Sequence, residues 1–381
     1  MRIGFISDSY PMGGLAKVVS LIGSNLDTEG YDSYYLAVSG EEDNFYHIPN
    51  HKLVVANNKE NHYNRYVNKI KIFAKHIICR KKSIDLGNYK VRELLSIQNF
   101  VEKKDLEYLI ICRYDLAFLV SRIKESFPKL KIIVWIHGPA ELYTKKKERK
   151  KYLKYYIENL KLCDDVVCLT ESDLHELEEF QIFGKKIYNP VDYVFASREL
   201  RDTKKHTLLC VSRLDIKDKG IDKLISVANA IPDNWKVQLI GNGSPREIEE
   251  LKNLQENLRD KNNFEFIGSK NSEELAYFYS NADIYISPAL YEGFGLTIAE
   301  AMCFALPVVC FQTTGAKEIT KNGKFGILVK DFKESNFIKE VLGLINDKNR
   351  IENLSYLSLK RCEDFSLNKI IEKWKNILKK T

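Results

Sequence analysis

The chain contains no run of about 18 consecutive apolar residues, the length that a helix needs to cross the hydrocarbon layer of a membrane, so a helical span is excluded. Its eight cysteines include no Cys-x-x-Cys pair, which excludes a zinc ribbon or a thioredoxin-like redox motif. Most sit in apolar runs such as Leu208-Leu209-Cys210-Val211, and all eight read as buried thiols in a reducing compartment. Cys163 and Cys168 lack a His/Cys partner pair for zinc. No solenoid repeat or low-complexity tract interrupts the 381 residues, and no nucleic-acid-binding motif accompanies the basic charge. The opening Met1–Ser7 runs directly into strand-like residues without a charged, then apolar, then small-residue leader pattern. The expectation is a cytoplasmic protein. What is present is ordinary for a globular chain: 44% hydrophobic and 29% charged residues, in a length that predicts about two to three domains.

Apolar segments of strand length alternate with helical stretches. They fall at Ile3–Ser7, Tyr34–Val38, Tyr108–Cys112, Ile132–His137 and Asp165–Thr170, and the pattern restarts at Thr207–Val211, Lys236–Gly241, Phe264–Gly268, Asp283–Ser287 and Pro307–Phe311. Strands alternating with helices predict α/β parallel sheets covered on both faces, and the restart predicts two such domains. Their boundaries are placed at 1–190 and 191–364, with the polar stretch Arg198–Lys205 as the joint. An amphipathic helix over 365–381 packs back on the first domain in this reading, with Leu367, Ile370, Ile371, Trp374 and Leu378 on one face. In such sheets ligands bind beyond the carboxyl ends of the strands, and phosphates favour glycine turns that open helices. Those turns are Pro11-Met12-Gly13-Gly14, Gly241-Asn242-Gly243 and Glu292-Gly293-Phe294-Gly295. Two sheets opening such loops toward each other make a cleft suited to a phosphorylated ligand.

The most informative segment is Ser287–Glu300. A strand ends, a glycine loop turns, and a helix starts near Leu296, leaving the amides around Gly295, Leu296 and Thr297 free for an anion under the helix dipole. Glu292 and Glu300 flank that place; a carboxylate repels phosphate but accepts two hydrogen bonds from vicinal hydroxyls, so the pair suits two sugars. A helix start that merely favours acids is the plain alternative. After the strand ending at Val211, Arg213 and Lys219 supply cations for a diphosphate, the first bidentate and the second a point charge. Lys217 is read instead as pairing with Asp215 or Asp218 in a solvated turn.

In this order and spacing the motifs resemble the family 4 glycosyltransferases, retaining enzymes of the two-domain type B fold, over nearly the whole chain. They are Gly13-Gly14, Arg213 and Lys219, Gly241-Asn242-Gly243, Phe266-Ile267-Gly268, Glu292 with Glu300, Leu306-Pro307-Val308-Val309 and Gly315-Ala316-Lys317-Glu318-Ile319. The resemblance implies a C-terminal domain that binds a nucleotide sugar, most often a UDP-sugar, and an N-terminal domain that binds the acceptor. It implies that Arg213 and Lys219 hold the diphosphate with help from the amides near Gly295–Thr297, that Glu300 grips the ribose, and that Glu292 contacts the donor sugar. Gly13 and Gly14 then approach the phosphates, His137 lies near the donor sugar, and Gly241, Asn242, Gly268, Gly293 and Phe294 complete the nucleotide-sugar loops. No cofactor or metal is implied, and the chain has no Asp-x-Asp triplet. Ala16 and Lys17 stand where the family often has an acid and a base, and Ala305 stands in place of a common glycine. A glycosyltransferase-like partner subunit without catalysis and a sugar-nucleotide epimerase are the alternatives; the intact set Arg213, Lys219, Glu292 and Glu300 argues against the first.

The net charge of +7 is concentrated. Residues 65–92 hold nine Lys/Arg against Asp85 alone, and residues 145–161 hold eight against Glu148 and Glu158. Within 66–78 the apolar residues fall near one helical face, a basic amphipathic pattern that suits an anionic membrane surface. An ordinary solvated helix packed on the sheet has the same pattern. The expected acceptor is a glycan or a lipid-linked saccharide, with peripheral attachment to the inner face of the plasma membrane and no nucleic-acid partner.

Overall fold

The computed structural model describes residues 1–56, 83–145, 147, 149–193 and 205–378. The amphipathic stretch 66–78, Cys79, most of the polar joint and the last three residues lie outside the described residues. The chain forms two compact units, Met1–Pro190 together with Ile370–Thr381, and Val191–Lys369.

The first unit is built on a parallel sheet of seven strands: β1 (Arg2–Ser7), β2 (Asp32–Ala37), β3 (Leu53–Val55), β4 (Tyr108–Ile111), β5 (Lys131–Trp135), β6 (Asp165–Cys168) and β7 (Lys185–Lys186). Their order is β3-β2-β1-β4-β5-β6-β7. The second unit holds β8 (His206–Val211), β9 (Trp235–Ile240), β10 (Phe264–Gly268), β11 (Ile284–Ser287), β12 (Val308–Phe311) and β13 (Ile327–Val329), ordered β10-β9-β8-β11-β12-β13. Parallel pairing needs crossover helices, which cover both faces, so central strands are apolar throughout rather than alternating: Ile3, Phe5 and Ile6 of β1 are all fully buried. That is why ten strands were legible as apolar runs. The three that were not, β3, β7 and β13, have two or three residues each and lie toward the sheet edges. In each sheet the order reverses once, between β1 and β4 and between β8 and β11, and the loops at such a reversal diverge to leave a crevice.

One expectation is corrected. Cys303 and Cys362 form a disulfide rather than remaining thiols. They end the helices Leu296–Cys303 and Lys348–Cys362, whose packing brings the two Cα atoms to 5.2 Å, within bridging range. A pairing across 59 residues leaves no local signal. Cys112, Cys168, Cys210 and Cys310 are buried free thiols, and burial pushes the Cys210 thiol up to about 12.

Helix ends show why a glycine is common at the position of Ala305. At the end of the helix Gly14–Thr28, the Gly30 N–H donates to the Asp27 carbonyl and the Tyr31 N–H to the Leu26 carbonyl, with Gly30 left-handed at φ 81°. The same pair of bonds recurs around Ala305 (φ 56°) and around Gln181 (φ 59°) after the helix Glu171–Glu178. This helix stop favours glycine because a Cβ in that conformation costs about 1–2 kcal/mol. Gln181→Gly is expected to raise stability by about 0.5–1 kcal/mol, the relief being partly offset by glycine's greater freedom in the unfolded chain. Ala305→Gly is expected to be near neutral, because Ala305 is buried and its methyl contributes about 0.8 kcal/mol. Urea unfolding midpoints measure both; a lower midpoint for Gln181→Gly contradicts the strain assignment.

Candidate functional site

In the second unit the loops after β8, β9, β10 and β11 meet at the carboxyl edge of the sheet and are locked to one another through the backbone. The Leu214 N–H donates to the Asn242 carbonyl (2.8 Å), the Gly241 N–H to the Gly268 carbonyl (3.0 Å) and the Leu290 N–H to the Asp218 carbonyl (2.8 Å). Gly220, left-handed at φ 65°, makes the last of these approaches possible: a Cβ there would lie 2.1 Å from the Pro288 carbonyl oxygen. Within the β8 loop the Asp215 carboxylate accepts the Asp218 N–H (3.0 Å). Lys217 forms no ion pair among the described residues, so the pairing expected for it with Asp215 or Asp218 is absent; the turn is closed by Asp215 and the backbone instead.

This scaffold brings two of the expected residues into direct contact. The Lys219 ammonium donates to Glu292 Oε2 at 2.7 Å and to the Tyr291 carbonyl at 3.3 Å, with the two side chains 15% and 23% exposed. Arg213 is exposed and makes no ion pair among the described residues. It stands near the start of the helix Pro245–Gln255, where the Glu247 carboxyl is held below its usual range by hydrogen bonds from Ser244 and, in smaller part, by the Arg213 charge.

The helix Leu296–Cys303 begins at Gly295, left-handed at φ 91°, with no side-chain cap and no acid in its first turn. The N–H groups of Leu296 and Thr297 find no acceptor among the described residues. Glu300 is buried one turn in, and its Oε2 accepts the Tyr279 hydroxyl at 2.9 Å. Tyr279 stacks on Phe304, and burial followed by the Glu300 charge pushes its phenol well up. Tyr285 is bonded to the Val211 carbonyl (3.2 Å) and the Thr297 hydroxyl (2.7 Å), tying the helix start to β8. Tyr279 and Tyr285 carry no sequence signal for these roles; both sit in apolar stretches that read as core. Behind the loop, the Gly315 N–H donates to the Glu292 carbonyl (3.0 Å), and Phe294 meets Phe365 edge-on at 5.9 Å.

The remaining expected residues belong to the first unit. Gly13 caps the helix Gly14–Thr28 and exchanges two hydrogen bonds with the Tyr46 hydroxyl, donating its N–H and accepting at its carbonyl, each at 3.2 Å. His137 follows β5. Its Nε2 is buried without a hydrogen-bond partner, and burial pushes the imidazole down to about 3, so the ring is uncharged at neutral pH. Among the described residues no three His, Cys, Asp or Glu side chains are grouped to hold a metal ion.

Gly315 supplies a test of this geometry. A Cβ there would lie 2.4 Å from the Phe294 carbonyl oxygen and 2.8 Å from the Phe294 Cα, both backbone atoms. Gly315→Ala is expected to displace the Glu292–Gly295 loop and lower stability by about 1–3 kcal/mol, read by thermal or urea unfolding. An unchanged midpoint would mean that the loop is not braced at this point.

Residues 195–361 match the family model described as Glycosyl transferases group 1. A relative from Haemophilus influenzae, named "Uncharacterized glycosyltransferase", is 28% identical over 389 residues, covering 99% of each chain. The Staphylococcus aureus "Capsular polysaccharide biosynthesis glycosyltransferase CapM" is 26% identical over 303 residues, covering 71% of this chain and 78% of its own. Among solved structures, Anabaena Alr3699/HepE in complex with UDP and glucose superposes with a TM-score of 0.77 at 16% identity, covering 99% of both chains, a likeness that carries the fold alone. The protein therefore has the type B glycosyltransferase fold, and the greater part of its second unit matches the group 1 glycosyl transferases.

Proposed function

We propose that the protein is an anomer-retaining, family 4 type glycosyltransferase that moves a sugar from a nucleotide sugar, a UDP-sugar, to a glycan or lipid-linked saccharide in the biosynthesis of a surface polysaccharide, lipopolysaccharide or glycoconjugate. The observation that carries the proposal is the convergence of Lys219, Glu292, the uncapped Leu296 and Thr297 amides and the buried Glu300 at one sheet edge. The names of the S. aureus relative, a capsular polysaccharide enzyme, and of the Anabaena complex with UDP and glucose support the choice of pathway class and nucleotide.

Mechanistically, Lys219, Arg213 and the helix dipole stabilise the negative charge that grows on the diphosphate as the glycosidic bond breaks. No divalent metal is assigned a role in this reading. The departing diphosphate oxygen takes the proton of the acceptor hydroxyl, so no protein nucleophile is named. Glu292 is assigned to the donor's hydroxyls rather than to a double displacement, which needs a pair of catalytic carboxylates flanking the reacting bond. Glu300 receives the ribose hydroxyls, with Tyr279 fixing its carboxylate. Gly13, Gly14 and His137 are assigned to the phosphates and donor sugar by the resemblance.

The basic residues 145–161 are proposed to meet an anionic membrane through charge alone. In the helix Lys150–Leu160, Tyr156 and Leu160 are buried, and Tyr152, Tyr155 and Ile157 pack on the first unit's core. Arg149 stacks over Tyr114 and Tyr143, leaving Lys150, Lys154 and Lys161 outward. Flotation with phosphatidylglycerol vesicles is expected at low salt and lost at about 1 M salt, where screening acts within about 3 Å. Absence of flotation at low salt removes the membrane from the proposal.

A thermal-shift series with UDP, GDP, ADP and their sugar conjugates tests the donor. UDP at 100 times its dissociation constant should add about 2.7 kcal/mol of stability, with or without magnesium. Glu300→Ala is expected to weaken UDP binding, whereas Glu292→Ala spares it and lowers sugar transfer. Equal UDP affinity in wild type and Glu300→Ala refutes the ribose assignment; no shift with any nucleotide refutes the donor.

A further inference from the structure

The ring of His137 has no hydrogen bond at Nε2 to orient it, whereas a site histidine is ordinarily fixed by a bond at its second nitrogen. What it has is an aromatic column. Its centroid lies 4.2 Å from that of Trp135 at a 45° tilt, and Trp135 in turn meets Trp374 edge-on at 4.8 Å. Both indoles are buried, and the Nε1 of each lacks a partner among the described residues. Three buried nitrogens are therefore left unbonded in one stack, a costly arrangement for a core built only for stability. Trp374 comes from the helix Leu367–Ile377, whose face of Ile370, Ile371, Trp374 and Ile377 is buried. With no side-chain hydrogen bond from His137 among the described residues, ring contact orients the imidazole, and aromatic packing is directional where aliphatic packing is not.

We propose that Trp374 is a positioning residue that sets the orientation of the His137 ring by holding Trp135 against it; its bearing on sugar transfer rests on the assignment of His137 to the transfer site. The helix at the end of the chain thus acts on that histidine through two indoles and without a polar contact.

The test uses the full chain labelled at its seven histidines, with His137→Gln to assign the resonance. In wild type the ring-current field of Trp135 should move the His137 carbon-bound protons upfield of the other histidines. Trp374→Leu, which keeps apolar volume but no ring, should return them toward ordinary positions, and Trp374→Phe should largely retain the displacement. Release of UDP from UDP-glucose should show kcat reduced about tenfold in Trp374→Leu with KM little changed, and restored in Trp374→Phe. An undisplaced resonance in wild type, or one that Trp374→Leu leaves in place, overturns the proposal. Should Trp374→Leu fail to fold, Trp374→Met, which likewise keeps apolar volume without a ring, takes its place, an unmoved resonance being the contrary result. A resonance that moves while UDP release is unchanged upholds the positioning and removes His137 from the transfer reaction.

Discussion

The contact between Lys219 and Glu292 is the interaction around which the second unit's site is organised. It joins the loop after β8 to the loop after β11, strands that are neighbours only because the sheet reverses its order there. Had the chain continued outward in one direction, the two side chains would face different crevices. The reversal, the left-handed Gly220 and the Leu290–Asp218 backbone bond are successive conditions for a single 2.7 Å ion pair. Most exposed pairs of this kind contribute about 0–1 kcal/mol. Its importance lies in what each charge does to the other: the carboxylate neutralises a largely buried ammonium at the same sheet edge as the uncapped amides of Leu296 and Thr297.

Under the proposed function that neutralisation is exchanged. A diphosphate brings more negative charge than one carboxylate and reaches Lys219, Arg213 and the amides of Leu296 and Thr297 together, so it displaces Glu292 from the ammonium. Glu292 is then left with unfilled acceptor capacity and turns to hydroxyl donors, which a sugar provides. At Glu300 a neutral phenol is among the partners. The Tyr279 phenol donates to one oxygen of the buried carboxylate without neutralising it.

The fold was legible because parallel strands buried on both faces announce themselves as continuous apolar runs, and ten were read this way. Short edge strands such as Lys185–Lys186, with a polar composition and two residues, carry no such signal. The local geometry of the Ser287–Glu300 segment was legible because strand end, glycine loop and helix start are contiguous there, so that spacing alone fixes their relative places. The contacts that complete them were not. Tyr279 reaches Glu300 across 21 residues, Gly315 reaches Glu292 through a backbone bond, and Cys303 meets Cys362 only because two helices pack. Each depends on tertiary proximity that periodicity does not encode. Ala305 lies between these cases: its departure from glycine was visible, and the left-handed helix stop in which it stands was not.

The first unit shows the same logic of a stored, exchangeable contact. Ala16 and Lys17 stand where an acid and a base often follow the glycine pair, and the neighbouring Gly13 amide is occupied by a phenol, the Tyr46 hydroxyl, which also donates to the Gly13 carbonyl. A phenol oxygen is a weaker acceptor than a phosphate oxygen, because a charged acceptor strengthens an N–H bond roughly twofold. The glycine loop is thus held in one geometry by the Tyr46 hydroxyl, a bond that under the proposed function a phosphate replaces, as it replaces Glu292 at Lys219. Under the proposed function, in both units the sequence supplies a donor, the fold supplies a modest acceptor to keep it satisfied, and the greater charge of a phosphorylated ligand supplies the free energy for the exchange.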